Sequence, residues 1–210
     1  MENKSNVYWE NLSKRIDKAE DSTNKREDIS DAEVAFLEKY LSKEIDILDI
    51  GSGTGLVINK LVDLVNSIVA VETFEGFSKF ISNNNKITVI NAALEGFYYH
   101  KEFDLVLSTG VMQFFKKNIA EGIYKNIFKM VKTDGLFIMR LHCGINETVL
   151  VNNFSDELQT EYFAEYRQVD EEINLLKSIG FDSVEKHDIL PDTLNVWENT
   201  RHFIFVCKKK

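Results

Sequence analysis

The chain has 210 residues, 44% of them hydrophobic, with a formal charge of −9. That length supplies one sizeable core and is short for two complete domains. The negative charge opposes binding to DNA, RNA or an anionic membrane surface, where affinity rests on Lys and Arg. The apolar stretches are of strand length and the first six residues are polar, so the expectation is a cytoplasmic protein with neither leader nor membrane span. Cys143 and Cys207 lie far apart without metal-type spacing, which predicts free thiols and no metal site.

In chain order, residues 1–44 read as N-terminal cap helices. Tyr8, Trp9, Leu12 and Ile16 share one helical stripe, and a helix over 31–42 opens with Ser30 or Asp31 as N-cap and Glu33 in capping position. Strands are predicted at about 45–50, 67–72, 87–91, 103–108 and 135–142. Helices near 55–65, 74–83 and 117–132 alternate with them. Such alternation implies parallel strands with right-handed crossovers. Residues 144–168 stand outside this rhythm and predict an insertion over the upper edge of the sheet, with Tyr162, Phe163, Tyr166 and Arg167 as contributors to acceptor specificity. A helix near 169–179 ends at Gly180. Phe181 to Ile189 and Arg201 to Cys207 then follow without a crossover helix, so they should pair antiparallel.

The most informative segment is Ile45-Asp-Ile-Leu-Asp-Ile-Gly-Ser-Gly-Thr-Gly55. An apolar strand breaks into alternate glycines and a helical pattern resumes at Leu56, so a ligand can approach the main chain closely at the turn. A dinucleotide-binding turn would carry a further glycine after two residues, and a phosphate loop would end in Gly-Lys-Ser/Thr. Neither template fits. Glu72 closes the second strand seventeen residues past Gly55, at the carboxyl edge where open α/β sheets bind ligands, and could accept both hydroxyls of a ribose.

Asp49-Ile-Gly-Ser-Gly-Thr-Gly55, Glu72, and Phe103-Asp-Leu-Val-Leu-Ser-Thr-Gly-Val-Met-Gln113 together resemble the class I S-adenosylmethionine-dependent methyltransferases of small molecules. The resemblance spans about residues 45–142, and the final helix and strand pair extend it to the end. It implies an α/β fold: a seven-stranded, mostly parallel Rossmann-like sheet with the last strand antiparallel and helices on both faces. It also implies one domain, with a cofactor core at 45–143, a substrate-cover insertion at 144–168, and the last helix and strand pair at 169–210. The implied cofactor is S-adenosyl-L-methionine. By position Asp49, Gly51, Ser52, Gly53 and Gly55 would pass under its methionine and ribose portion, and Glu72 would hold the ribose hydroxyls. Thr73 and Phe74 would line the adenine pocket. Ala92 stands where many relatives carry an acid, so the amides of Ala93 and Leu94, helped by Asn91 or Glu95, would face adenine. Ser108 and Thr109 would touch the methionine end, and Gln113 would face the acceptor.

A sulfonium cofactor brings its own leaving group, so the protein supplies placement, a dry pocket and, for a hydroxyl nucleophile, a base. On strand five Arg140 and His142 share one face and Met139 and Leu141 the other. His142 is the first choice for general base, with a local hydrogen bond as the alternative. Arg140 either holds an anionic acceptor group or pairs with Glu147 or another acid. Tyr8, Trp9, Trp197 and Arg201 are candidate substrate contacts; packing would demand the same residues. The expected partner is a small polar methyl acceptor, methylated at oxygen and carrying a sugar, phosphate or carboxylate group. An amine acceptor, or a non-catalytic cofactor-binding module, is the alternative. The sequence leaves the oligomeric state open.

Overall fold

The computed structural model describes residues 4–23, 27–195 and 197–210. The parts of the expected N-terminal cap at 1–3 and 24–26 lie outside these. Strands β1 (Asp46–Ile50), β2 (Ser67–Glu72), β3 (Ile87–Asn91), β4 (Phe103–Thr109) and β5 (Val131–Gly144) form the parallel part of a seven-stranded sheet. A hairpin of β6 (Val149–Ser155) and β7 (Thr160–Tyr166) stands apart from it, and β8 (Ser183–His187) and β9 (Thr200–Lys208) complete it. The order is β3-β2-β1-β4-β5-β9-β8, with β9 antiparallel to both its neighbours. The chain's last strand is thus the reversed one, as expected.

Helices cover both faces. Of α1 (Lys4–Ser13), α2 (Ser30–Leu37), α3 (Ile58–Leu61), α4 (Glu75–Ser78), α5 (Lys117–Met130) and α6 (Val169–Ile179), α2 and α3 pack Leu37, Ile58 and Leu61 onto Ile47, Leu105, Ile138 and Ile204. On the other face α5 and α6 bury Ile123, Tyr124, Ile127 and Leu176 against Leu48, Val106, Phe137, Met139 and Leu141. Period-two alternation sends successive strand residues to opposite layers. Arg140 and His142 therefore share the face of Ile138, opposite Met139 and Leu141.

Several boundaries differ from expectation. The helix of 55–65 is α3 followed by a 3₁₀ turn at Val62–Leu64, and that of 74–83 shrinks to α4, where Asn83, Asn84 and Asn85 favour turns over helix. The N-cap of α2 is Ile29, without a side-chain cap. Glu33 points inward instead of capping. Residues 144–168, expected only as an insertion, hold the hairpin, whose Val149, Val151, Tyr162, Ala164 and Tyr166 alternate in strand fashion.

Helix α1 docks on this hairpin and on α4. Tyr8, Leu12, Ile16, Phe77 and Leu158 form a small core of their own, the Tyr8 ring lies 4.9 Å from that of Tyr162, and Asn11 Nδ2 donates to the Leu158 carbonyl at 3.4 Å. The hairpin root is fixed by Arg167, which is fully buried. Its Nε donates to Glu172 Oε2 at 2.7 Å, and its Nη atoms donate to the carbonyls of Phe115 (2.9 Å) and Met112 (3.1 Å). Tyr124 completes the cluster by donating to Glu172 Oε1 at 2.5 Å. Arg167 is therefore an anchor joining α5, α6 and the hairpin; it does not read the acceptor. Arg167→Ala would strand Glu172 as an uncompensated buried charge and should cost about 3–5 kcal/mol, read as a fall in the urea midpoint.

Candidate active site

The glycine turn is held from β2. The amides of Gly51 and Ser52 both donate to the Val71 carbonyl, at 2.9 and 3.0 Å, and Gly55 donates to Ser52 at 2.9 Å. Gly53 donates to Glu72 Oε2 at 2.9 Å, while Phe74 donates to Glu72 Oε1 at 2.9 Å. The amides of Gly51, Ser52 and Gly53 are therefore already bonded within the protein. Gly51 and Gly53 have φ of +79° and +54°, in the left-handed region that favours glycine. A Cβ at Gly51 would come within 2.8 Å of Val111, whereas one at Gly53 would meet nothing within 4 Å. Thr54 reaches outward: its hydroxyl donates to the Ala19 carbonyl at 3.0 Å and lies 3.0 Å from the Ser22 hydroxyl, clasping the N-terminal segment to the turn.

Above the turn lies a cavity of about 280 Å³. Asp49, Gly51, Ser52, Gly53, Glu72, Thr73, Phe74, Leu94, Thr109, Gln113, Arg140 and Trp9 all line it, so the sequence-predicted residues of four strand ends and of α1 converge there. Asp49, Glu72 and Glu33 are each at least 94% buried. Burial pushes the Asp49 carboxyl up to about 7, with the neighbouring Glu33 and Glu72 carboxylates adding to the rise. Burial also raises Glu72, against the hydrogen bonds it accepts from Phe74, Gly53 and Thr73. The folded chain thus keeps a proton on Asp49 that the unfolded chain releases near pH 4. The stability due to this group falls as pH rises from about 4 to 7.

Arg140 is paired with an acid. Its Nε donates to Glu33 Oε1 at 2.5 Å, and its guanidinium covers Gly110, where a Cβ would lie 2.5 Å from Nη2. Gln113 donates through Nε2 to the Gly110 carbonyl at 2.7 Å. Its Oε1 is buried without a hydrogen-bond partner among the described residues.

Other predicted residues do not line the cavity. His142 is buried beside it, its Nε2 2.9 Å from Thr200 Oγ1 and its ring 4.0 Å from those of both Tyr166 and His202. This is the local hydrogen bond that stood as the alternative to a base. Cross-strand partner His202 does line the cavity. Gly55 serves the turn, and Ala92 ties β3 to β2 by donating to the Glu72 carbonyl at 3.1 Å. Asn91 is engaged with that same carbonyl and with Ser78, and Ala93 is not at the wall, whereas Leu94 is. Ser108 is fully buried in the sheet. Tyr8 packs under the hairpin, Trp197 stacks at 5.8 Å on His142, and Arg201 is ion-paired with Asp188 and Asp192. Glu33, His202, Val111 and Leu190 were missed; the register His142↔His202 makes the second visible only once β5 and β9 are known to be paired.

The residues fit a sulfonium nucleoside cofactor: acids suited to a cation and a ribose diol, and a glycine backbone open to space at Gly53. Residues 48–139 match the family model described as a methyltransferase domain. No curated protein matches the chain in sequence. Among solved structures, the 1,6-didemethyltoxoflavin-N1-methyltransferase of Burkholderia thailandensis, with bound 1,6-didemethyltoxoflavin and S-adenosylhomocysteine, is 15% identical, with a TM-score of 0.75 over 98% of this chain and 88% of that one. The DhpI complex with S-adenosylhomocysteine is 13% identical, with a TM-score of 0.73 over 100% and 98%. An S-adenosylmethionine-dependent methyltransferase of Clostridium acetobutylicum is 16% identical, with a TM-score of 0.67 over 90% and 95%. The fold is that of the class I, Rossmann-like methyltransferases. The matched family model and these solved structures are of methyltransferases, two of the structures holding S-adenosylhomocysteine. Among the described residues no helix is long and apolar enough to cross a membrane, and no group of three or more His, Cys, Asp or Glu is placed to hold a metal ion.

The two turn glycines should separate folding from binding. Gly51→Ala drives a methyl into Val111 as well as straining the backbone, a cost of roughly 1–3 kcal/mol. Gly53→Ala meets no protein atom but narrows the cavity floor. Thermal melts with and without S-adenosylhomocysteine should show Gly51→Ala losing more intrinsic stability, and Gly53→Ala losing the larger share of its ligand-induced shift.

Proposed function

We propose that the chain transfers the methyl group of S-adenosylmethionine to a nitrogen of a small acceptor that carries no net negative charge. The observation that carries this reading is the charge of the cavity wall. Among the described residues, Glu27, Asp28, Glu33, Asp49 and Glu72 line it, and the one arginine there, Arg140, is bonded to Glu33. A phosphorylated or carboxylated acceptor would meet carboxylates there, and a buried anion without a partner is strongly disfavoured. The expectation of an acidic acceptor gives way on that ground. Trp9, Phe77, Phe114 and Phe115 also line the cavity and supply apolar and π surface, suited to a ring or a cationic amine. The Burkholderia relative is named for methylation of a small heterocycle at N1, which agrees in kind.

The cofactor supplies an activated methyl on a sulfonium leaving group. The protein's share is placement and exclusion of water. Glu72 keeps acceptor capacity for ribose hydroxyls, beyond the amides of Gly53, Thr73 and Phe74 that it already serves. Asp49 and the turn would hold the methionine and ribose portion, and Thr73, Phe74 and Leu94 would hold adenine. Trp9 of α1 and the hairpin behind it close the acceptor side, so that the whole chain works as one catalytic unit.

Oxygen methylation is the second reading, favoured by His202 at the wall. An imidazole there could take a hydroxyl proton near neutral pH.

Incubating the chain with methyl-tritiated S-adenosylmethionine and two pools, one of amines and N-heterocycles and one of phosphorylated and carboxylated alcohols, tests the reading. Label should enter the first pool; label confined to the second contradicts it. His202→Ala should leave transfer to a neutral amine within a few-fold, but slow transfer to a hydroxyl by about 10²-fold or more.

A further inference from the structure

Arg140 spends only part of its guanidinium on Glu33. Its Nε donates to Glu33 Oε1 at 2.5 Å, while neither Nη atom is hydrogen-bonded to any described residue. A guanidinium carries further N–H donors on both Nη atoms, in one planar fork. That edge is open to the cavity: the Arg140 side chain is 17% exposed and lines the wall, and its Nη atoms are not shut inside the protein as Gln113 Oε1 is. The fork is seated by Glu33 of α2 and by the bare backbone of Gly110, where φ is +75° and a Cβ would fall 2.5 Å from Nη2. A guanidinium held in this way is preorganised for a bidentate contact with a planar anion. The other ionisable groups lining the cavity, among the described residues, are Glu27, Asp28, Glu33, Asp49, Glu72 and His202.

We propose that the Nη edge of Arg140 binds the α-carboxylate of the cofactor's methionine portion. The inference rests on the cofactor proposed above and goes beyond it in naming the side chain that takes the cofactor's one anionic group. S-adenosylmethionine and S-adenosylhomocysteine both end in an amino acid. Its carboxylate must leave water to enter this cavity, and without a cation it would face the acids of the wall uncompensated. Among the described residues at the wall, Arg140 alone offers a permanent cation with two parallel donors; His202 offers one imidazole. Glu33 compensates the guanidinium when the site is empty, and because it is served through Nε, the Nη edge can take the carboxylate without breaking the pair. The same assignment explains why an arginine at the wall does not favour an anionic acceptor. The cofactor's own carboxylate already occupies it.

Calorimetric titration of the full chain with S-adenosylhomocysteine and with its decarboxylated analogue, which keeps the amine and lacks the carboxylate, tests this. The unaltered chain should bind S-adenosylhomocysteine about tenfold or more tighter than the analogue, the scale of a charge-assisted hydrogen bond. Arg140→Gln should weaken S-adenosylhomocysteine by about that factor and leave the analogue within about threefold, so that the preference vanishes or, among the remaining acids, reverses. Arg140→Lys keeps the charge without the fork and should retain only part of the preference; should Arg140→Gln misfold, this variant carries the comparison. An analogue bound as tightly as S-adenosylhomocysteine by the unaltered chain, a loss in Arg140→Gln that is equal for both ligands, or a preference that survives in full in either variant overturns the proposal while leaving the cofactor reading intact. Failure of the folded, unaltered chain to bind either ligand overturns both.

Discussion

The hydrogen bonds from Gly53 and Phe74 to the buried carboxylate of Glu72 are the interaction on which the site depends. They join the end of β2 to the turn after β1, and so set the floor of the cavity relative to Thr73 and Phe74. Without them the turn amides would need water or ligand, and a backbone at positive φ through Gly51, Gly53 and Gly55 would have little to hold it. A carboxylate there is costly to bury. It is retained because it serves the loop and still has lone pairs to offer a diol.

That constraint propagates outward. With Glu72 and Asp49 both buried, a further buried acid at the wall would be costly unless paired, and Glu33 is paired with Arg140 across two elements, α2 and β5. The pair also lays a guanidinium over Gly110, which has no side chain to displace it. Rings line another part of the cavity: Trp9 lies 4.6 Å from Phe114, joining α1 to the segment after β4, with the hairpin packed against α1. The acids and the rings thus come from different elements of the fold.

The sheet was legible because alternation and glycine punctuation are local signals. The strands at 46–50, 67–72, 87–91 and 103–109 follow apolar runs ended by turns, and the antiparallel finish followed from the missing crossover helix. Part of the cavity wall was legible for the same reason: Asp49 and Glu72 sit at strand ends. What the sequence concealed depends on pairing between distant segments. Nothing near residue 33 announces that Glu33 turns inward to Arg140, since an acid in a first helical turn reads equally as a dipole partner. His142 and His202 are sixty residues apart, and only their cross-strand register decides that the second reaches the wall while the first bonds Thr200. Arg167 looked like a recognition residue because arginine in a cover segment so often is; its hydrogen bonds to Met112, Phe115 and Tyr124, which show it to be an anchor, are non-local.

The central claim is that Glu72 and the glycine turn together hold S-adenosylmethionine in this cavity. A crystal structure of the chain with S-adenosylhomocysteine tests it most directly. The account predicts ligand density over Gly51 to Gly53, with both ribose hydroxyls on Glu72 and the amide of Gly53 still donating to that carboxylate. Density elsewhere, or a ribose held by other residues with Glu72 turned away, would contradict it.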